Sequence, residues 1–174
     1  MSIPVVETER LVLRGYRRED FPTYAAMRAD PAVMRHIADG EPKSEEEAWS
    51  NFLRMAGLWQ VVRFGSWAIE EKANGRLIGG LGFEDRKRDR GPAFKDIPEM
   101  GWLFASESWG KGYATEAIRA ALIWGRSHFG AVRVIALTAP ENLASIRVAQ
   151  KCGFEECARI LSTGRPRIVL DRIL

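Results

Sequence analysis

One stretch of the chain, residues 99–138, constrains the fold more than any other. Glu99-Met100-Gly101-Trp102-Leu103-Phe104 reads as a strand, and a glycine-bearing turn, Trp109-Gly110-Lys111-Gly112, follows it. Ala117, Ile118, Ala121, Leu122, Gly125 and Phe129 then recur at the 3.6-residue spacing of a helix with one apolar face. Val132-Arg133-Val134-Ile135-Ala136-Leu137-Thr138 is apolar enough for a buried strand. Strand 99–104, helix 113–129 and strand 132–138 make a βαβ crossover, so the chain must contain a sheet with a helix packed on it.

The flanking segments fit a mixed α/β class. Leu11 and Leu13 alternate with Val12 and Arg14 as in a short strand, and a helical stretch is expected near Tyr24 to Arg28, broken at Asp30-Pro31. Ser44 followed three residues later by Glu47 predicts a capped helix reaching Leu58 or Trp59. Ser66–Glu70 and Arg76–Phe83 flank Asn74-Gly75, the dipeptide suited to a two-residue type I′ turn, so an antiparallel hairpin is expected there. Glycines 79, 80 and 82 inside its second strand signal a bulge, a close approach by another group, or crowding of the sheet against a helix. Asn142 to Cys152 reads as a helix closed by Gly153, and the tail supplies one or two further strands. No repeat or linker divides the chain, which reads as one domain over residues 7–172.

Composition excludes several classes. With 46% apolar and 28% charged residues, the chain is far from disordered, collagen-like or membrane proteins. No basic stretch followed by an apolar run stands at the start, and no segment approaches a membrane span, so a cytoplasmic protein without a membrane partner is expected. The net charge of +3 is spread among nearly as many acids as bases, which does not call for DNA. The basic run Arg86-Lys87-Arg88-Asp89-Arg90 before Gly91-Pro92 reads as a solvated loop. Cys152 and Cys157 make no disulfide framework and no metal set, and both read as buried thiols.

The turn at residues 109–116 carries the chemistry. Gly110 and Gly112 remove two side chains where a strand turns into a helix, so backbone N–H groups can approach an anion at the positive end of the helix dipole. Lys111 adds a full charge. A P-loop needs four residues between its glycines followed by Lys and Ser or Thr, and the dinucleotide fingerprint needs a third glycine where Thr115 stands. An anion cradle of another kind, or glycines that only shape a tight turn, remain as readings.

Trp109-Gly110-Lys111-Gly112-Tyr113-Ala114-Thr115-Glu116 resembles motif A of the GNAT superfamily of N-acetyltransferases, whose signature is Gln/Arg-x-x-Gly-x-Gly/Ala. Thr8-Glu9-Arg10-Leu11-Val12-Leu13-Arg14 and the stretch Asn142-Leu143-Ala144-Ser145 through Cys152-Gly153-Phe154 are similar to the branch of the ribosomal-protein N-terminal acetyltransferases RimJ and RimL. Trp109 departs from the signature, which has Gln or Arg there. The resemblance implies a central, mostly antiparallel sheet with a parallel pair at the cofactor site and helices on both faces. It implies acetyl-CoA as cosubstrate and no metal. The N–H groups of Gly110, Lys111, Gly112, Tyr113, Ala114 and Thr115 would bind the pyrophosphate, the backbone of Trp102, Leu103 and Phe104 would pair with the pantetheine arm, and Asn142 would hydrogen-bond that arm.

Aminolysis of a thioester needs a neutral amine, donors for the oxyanion and a proton for the departing thiolate. Glu99 is the carboxylate placed to accept the amine proton, directly or through water, against the alternative of a solvated acid at a strand end. Many GNAT enzymes supply the last proton from a Tyr seven residues after the Asn, but Ala149 stands there, which leaves Ser145 or water. Ser145 could equally bond a carbonyl one turn earlier. The acceptor expected from this branch is an N-terminal α-amine of a protein or peptide. A small amine, or a non-catalytic coenzyme A-binding role, are the alternatives, and the resemblance allows a homodimer. The acceptor side would come from residues 24–59, and the long loop of residues 85–98 has basic residues suited to an acidic peptide or protein surface.

Overall fold

The structure is a computed structural model and describes residues 2–87, 91–162 and 164–174. The chain opens with β1 (Val6–Glu7), β2 (Leu11–Arg14) and three helices, α1 (Phe21–Ala29), α2 (Pro31–Met34) and α3 (Glu45–Val62). A hairpin of β3 (Ser66–Glu71) and β4 (Arg76–Glu84) follows, then β5 (Glu99–Phe104), α4 (Tyr113–Phe129) and β6 (Arg133–Thr138). The chain ends with α5 (Leu143–Lys151), β7 (Glu155–Ser162) and β8 (Arg165–Ile173). The strands form one sheet in the order β1-β2-β3-β4-β5-β6-β8-β7, and β5–β6 is its parallel pair. The expected crossover is therefore β5–α4–β6.

The sheet buries both faces. On one, Leu11, Trp67, Leu81, Phe83, Met100 and Phe104 pack with Ala117, Ile118, Ala121 and Leu122 of α4. On the other, Ala68, Leu77 and Ala105 pack with Tyr24 and Met27 of α1 and with Ala48 and Phe52 of α3. A third cluster joins Ile135 and Val169 to Phe94. Phe94 belongs to a short 3-10 turn, Pro92–Phe94, so the loop of residues 85–98 is in part a hydrophobic clasp over β6 and β8.

Local signals mostly form as expected. Ser44 Oγ accepts from the Glu47 N–H at 3.2 Å, the Glu47 carboxylate accepts from the Ser44 N–H at 2.9 Å, and α3 runs to Val62, beyond the expected end. The hairpin turn differs. Glu71 and Arg76 are the last pair, which leaves four residues between the strands, and of these Gly75 has a positive φ of 69°. Asn74 spends its side chain on the turn instead, donating to the Glu71 carboxylate at 2.7 Å and accepting from the Arg76 N–H at 3.0 Å.

Two of the causes expected for the β4 glycines are present. Ile69 faces Gly79 and Glu70 faces Leu77, so Ile78 is the extra residue of a bulge. A Cβ on Gly80 would stand 2.0 Å from the Tyr16 hydroxyl, and one on Gly82 would stand 2.1 Å from the Gly65 carbonyl oxygen.

Two expectations are corrected. Cys152 is buried as expected, but Cys157 is exposed, because it lies on β7 at the sheet's edge. Arg86 is no solvated loop charge, since it turns inward to pair with Glu84 at 2.7 Å. Arg88, Asp89 and Arg90 of the same run lie outside the described residues. No helix among the described residues is long and apolar enough to cross a membrane.

Candidate active site

Two glycines with left-handed backbone lead into α4, Gly110 at φ 75° and Gly112 at φ 82°, the latter being the residue before the helix. The first intrahelical bond of this turn runs from the Glu116 N–H to the Gly112 carbonyl at 3.1 Å. The N–H groups of Tyr113, Ala114 and Thr115 therefore lie ahead of any intrahelical acceptor, and Gly112 offers no capping side chain. These donors and the helix dipole favour an anion at this end of α4, and the exposed Lys111 adds a positive charge to the loop. A Cβ on Gly110 would meet open space, so this glycine is needed for its backbone angle rather than for room. The Tyr113 ring turns away from the loop, and its hydroxyl bonds the Glu71 carboxylate.

Trp109, the departure from the family signature, has a visible role. Its indole N–H donates to the Phe104 carbonyl at 3.0 Å and ties the loop to the end of β5.

β5 lies open beside this loop. β5 and β6 pair at one position, Glu99 opposite Ile135, with the Ile135 N–H bonding the Pro98 carbonyl at 3.1 Å. Beyond it β5 is paired through β4 alone, as far as Phe104 opposite Gly79. The Ala105 N–H donates to the Ile78 carbonyl at 2.9 Å, so odd-numbered residues of this stretch turn their backbone to β4, and Met100, Trp102 and Phe104 turn theirs to the β6 side. Leu103 is thereby corrected as a pantetheine partner. Its carbonyl lies against Gly79, 2.6 Å from where a Cβ there would stand. The Phe104 carbonyl is already taken by Trp109, which leaves the Phe104 N–H and both backbone groups of Trp102 facing the gap.

At the head of β5, Glu99 is 4% exposed, on the sheet face that carries α1 and α3. It is no solvated strand-end acid. Directly opposite it on β4 stands Glu84, 2% exposed. Arg86 lies between the two carboxylates, 2.7 Å from Glu84 and 3.5 Å from Glu99, and Arg54 reaches Glu84 at 3.0 Å. Burial alone would raise the Glu84 carboxyl, but the charges of Arg86 and Arg54 outweigh it and hold Glu84 below the usual carboxylate range. Glu84, Arg86 and Arg54 escape a reading of the sequence, because the β4–β5 register brings Glu84 opposite Glu99 and the packing of α3 brings Arg54 to Glu84.

The same face carries Tyr16 and Tyr24 with their rings edge to face at 5.8 Å, and the Tyr24 hydroxyl donates to Asn51 at 2.6 Å. Between α1 and α3 an open groove of about 650 Å³ is lined by Arg18, Phe21, Pro22, Glu45, Glu46 and Trp49.

Asn142 precedes α5 and spends its side-chain oxygen on the helix, accepting from the Ser145 N–H at 3.1 Å, so its amide N–H₂ is what it can offer an arm of the cosubstrate. The Ser145 side chain is half-buried and has no hydrogen bond to a carbonyl one turn earlier among the described residues. No group of three or more His, Cys, Asp or Glu among the described residues could hold a metal ion.

A helix-capping anion cradle beside an opened parallel strand pair is what the Acetyltransferase (GNAT) domain family would require, and the sequence profile of that family matches residues 10–155. The uncharacterized N-acetyltransferase YoaA of Bacillus subtilis is 31% identical over 153 residues, which are 88% of this chain and 84% of YoaA. A GnaT-family acetyltransferase structure from Bordetella pertussis superposes with a TM-score of 0.84 at 32% identity, over 98% of this chain and 99% of that one. A RimL ribosomal L7/L12 α-N-protein acetyltransferase in complex with coenzyme A shares the fold at a TM-score of 0.80 and 16% identity, over 98% of each chain. The family profile and these likenesses agree with the fold, and the chain belongs to the GNAT acetyltransferases as an acetyl-CoA-dependent N-acetyltransferase.

Proposed function

We propose that the chain acetylates the N-terminal α-amine of a protein or peptide, with the donor held at the α4 loop and the acceptor entering from the face of α1 and α3. The observation that carries this reading is one line of groups. It runs from the unsatisfied N–H donors of residues 113–115, along the open edge of β5, to the buried Glu99. Acetyl-CoA supplies an activated thioester and a thiolate leaving group. The backbone of residues 110–115 would hold its pyrophosphate, and the Trp102 backbone with the Asn142 amide would hold the arm.

Glu99 would take the proton of the incoming amine. Glu84, committed as an anion to two arginines, is left as the fixed charge that positions Arg86 beside it. Backbone donors on the open edge of β5 are suited to polarise the acyl carbonyl, and the Ser145 hydroxyl is suited to return a proton to the thiolate. An open groove between the starts of α1 and α3 favours a chain-like acceptor, and the shared fold with RimL, a protein α-N-acetyltransferase, supports the same reading.

Thiol release from acetyl-CoA with a panel of unblocked peptides, amino-blocked peptides and small amines tests the acceptor. Turnover confined to small amines would sink it. Gly112→Glu tests the donor site, because it adds a negative charge to the loop and competes for Arg10, which stands 3.4 Å from a Cβ there. Coenzyme A affinity measured by calorimetry should fall about a hundredfold, whereas the strain of about 1–2 kcal/mol for a side chain in a left-handed conformation is read separately as a loss of folding stability. Unchanged affinity would remove the loop from the donor site.

A further inference from the structure

The segment Thr8-Glu9-Arg10 lies at the other end of the sequence from the cradle, yet it reaches the cradle's back. The Arg10 guanidinium bonds Glu116 of α4 through Nε at 2.7 Å and Nη2 at 2.6 Å, and through Nη1 it donates to the Lys111 carbonyl at 2.9 Å. The Arg10 backbone N–H and the Thr8 hydroxyl both donate to the other Glu116 oxygen, at 2.9 Å and 2.6 Å. The guanidinium also lies over the Tyr113 ring at 4.6 Å, and it is what a side chain at Gly112 would touch, at 3.4 Å.

Two physical consequences follow. A trans peptide points its C=O and the next N–H in opposite directions, so pinning the Lys111 carbonyl toward Arg10 turns the Gly112 N–H away from it. The second consequence concerns charge. Glu116 stands in the first turn of α4, where a free carboxylate would repel a bound anion. Burial would push the Glu116 carboxyl up, but its bonds to Thr8 and Arg10 outweigh this and hold it below the usual carboxylate range. It is thus an anion that needs a counter-charge, and Arg10 provides one in a forked, geometrically fixed form.

We infer that Arg10 is a positioning residue for the pyrophosphate site: it aims the Gly112 N–H into the cradle and cancels the Glu116 charge that would otherwise oppose the ligand. This rests on the reading above that residues 110–115 hold the pyrophosphate. It gives the Thr8–Arg10 segment a task in donor binding, although none of its atoms need touch the donor.

The test compares coenzyme A, followed by calorimetry, with pantetheine, which ends before the pyrophosphate, followed by NMR titration. Arg10→Ala should weaken coenzyme A about tenfold or more and pantetheine by less than about twofold. Arg10→Lys, which keeps the charge without the fork, should fall between, and it serves as the test protein if Arg10→Ala does not fold. Adding Glu116→Gln to Arg10→Ala should recover part of the lost coenzyme A affinity, because the uncompensated carboxylate is gone. A bracing role alone would weaken both ligands alike and would make the double variant worse, and either result overturns the inference. If the native protein binds coenzyme A no more tightly than pantetheine, the pyrophosphate reading of the loop itself fails.

Discussion

Glu84 and Glu99 face each other across β4 and β5, both almost fully buried, and two like charges directly opposite in a sheet oppose folding. Arg86 between them and Arg54 behind Glu84 offset that repulsion. Glu99→Gln keeps the shape beside Arg86 and removes the proton acceptor. Below the pKa of the acceptor, where the amine arrives protonated, the variant should lose about a hundredfold in turnover. Above that pKa the loss should shrink. A pH–rate profile parallel to that of the native enzyme would remove Glu99 as base. At this scale the sequence is legible only where a residue acts locally. Gly110 and Gly112 are readable because a left-handed turn needs them, and so is Glu99, at a strand head next to the motif. Glu84 is not, because its partner lies 15 residues away across a loop and only the register joins them.

Elements with a strong local signal form where the sequence puts them, and the departures have a common cause in side chains that find better partners. The capping box of α3 forms because Ser44 and Glu47 satisfy each other's backbone donors without help from the rest of the protein. Ser44→Ala should destabilise the fold by about 1 kcal/mol in urea unfolding with an unchanged slope, and no measurable change in midpoint would show that packing alone fixes the start of α3. Asn74 departs from the type I′ expectation because its side chain bonds both Glu71 and the Arg76 N–H, which suits a four-residue turn. The loop of residues 85–98 looks unstructured by composition, yet Phe94 is 7% exposed because β6 and β8 offer it Ile135 and Val169, two residues far away in sequence. The separation of β5 from β6 has no sequence signal of its own. It follows from two strands that share one paired position and then take different neighbours.

For the molecule as a whole, the sheet face under α1 and α3 gathers ionisable groups whose stability contributions have opposite pH dependence. On the acid side, Glu84 has a folded pKa below its ordinary 4.5, so its contribution is complete above 4.5 and is lost as the pH falls through the lower folded value. On the alkaline side, burial raises the Tyr16 phenol well above its ordinary 10.0, helped by the neighbouring Tyr24, Glu84 and Asp20 and opposed by Arg28. Tyr24 is raised too, first by burial and then by Glu84, against Arg28, Arg54 and Arg86. For a phenol that must stay neutral in the folded state, the contribution is complete below pH 10 and lost as the pH rises from 10 toward the folded value. Each of the two therefore costs at most about 1.4 kcal/mol per pH unit above 10. Unfolding free energy should be flat between about pH 6 and 8 and should then fall, first through the Cys152 and Cys157 thiols, which burial also raises, and above pH 10 through both tyrosines together with Tyr113. Tyr16→Phe removes one phenol without removing the ring that packs on Tyr24 and Phe52, so it should reduce that alkaline slope while leaving the acid limb in place. Glu84→Gln should do the reverse, reducing the acid limb that Glu84 shares with other lowered carboxylates such as Glu116, at some cost in stability at neutral pH. An alkaline limb unchanged by Tyr16→Phe would mean that the Tyr16 hydroxyl over Gly80 is open enough to ionise in place, and that this face is wetter than its packing implies.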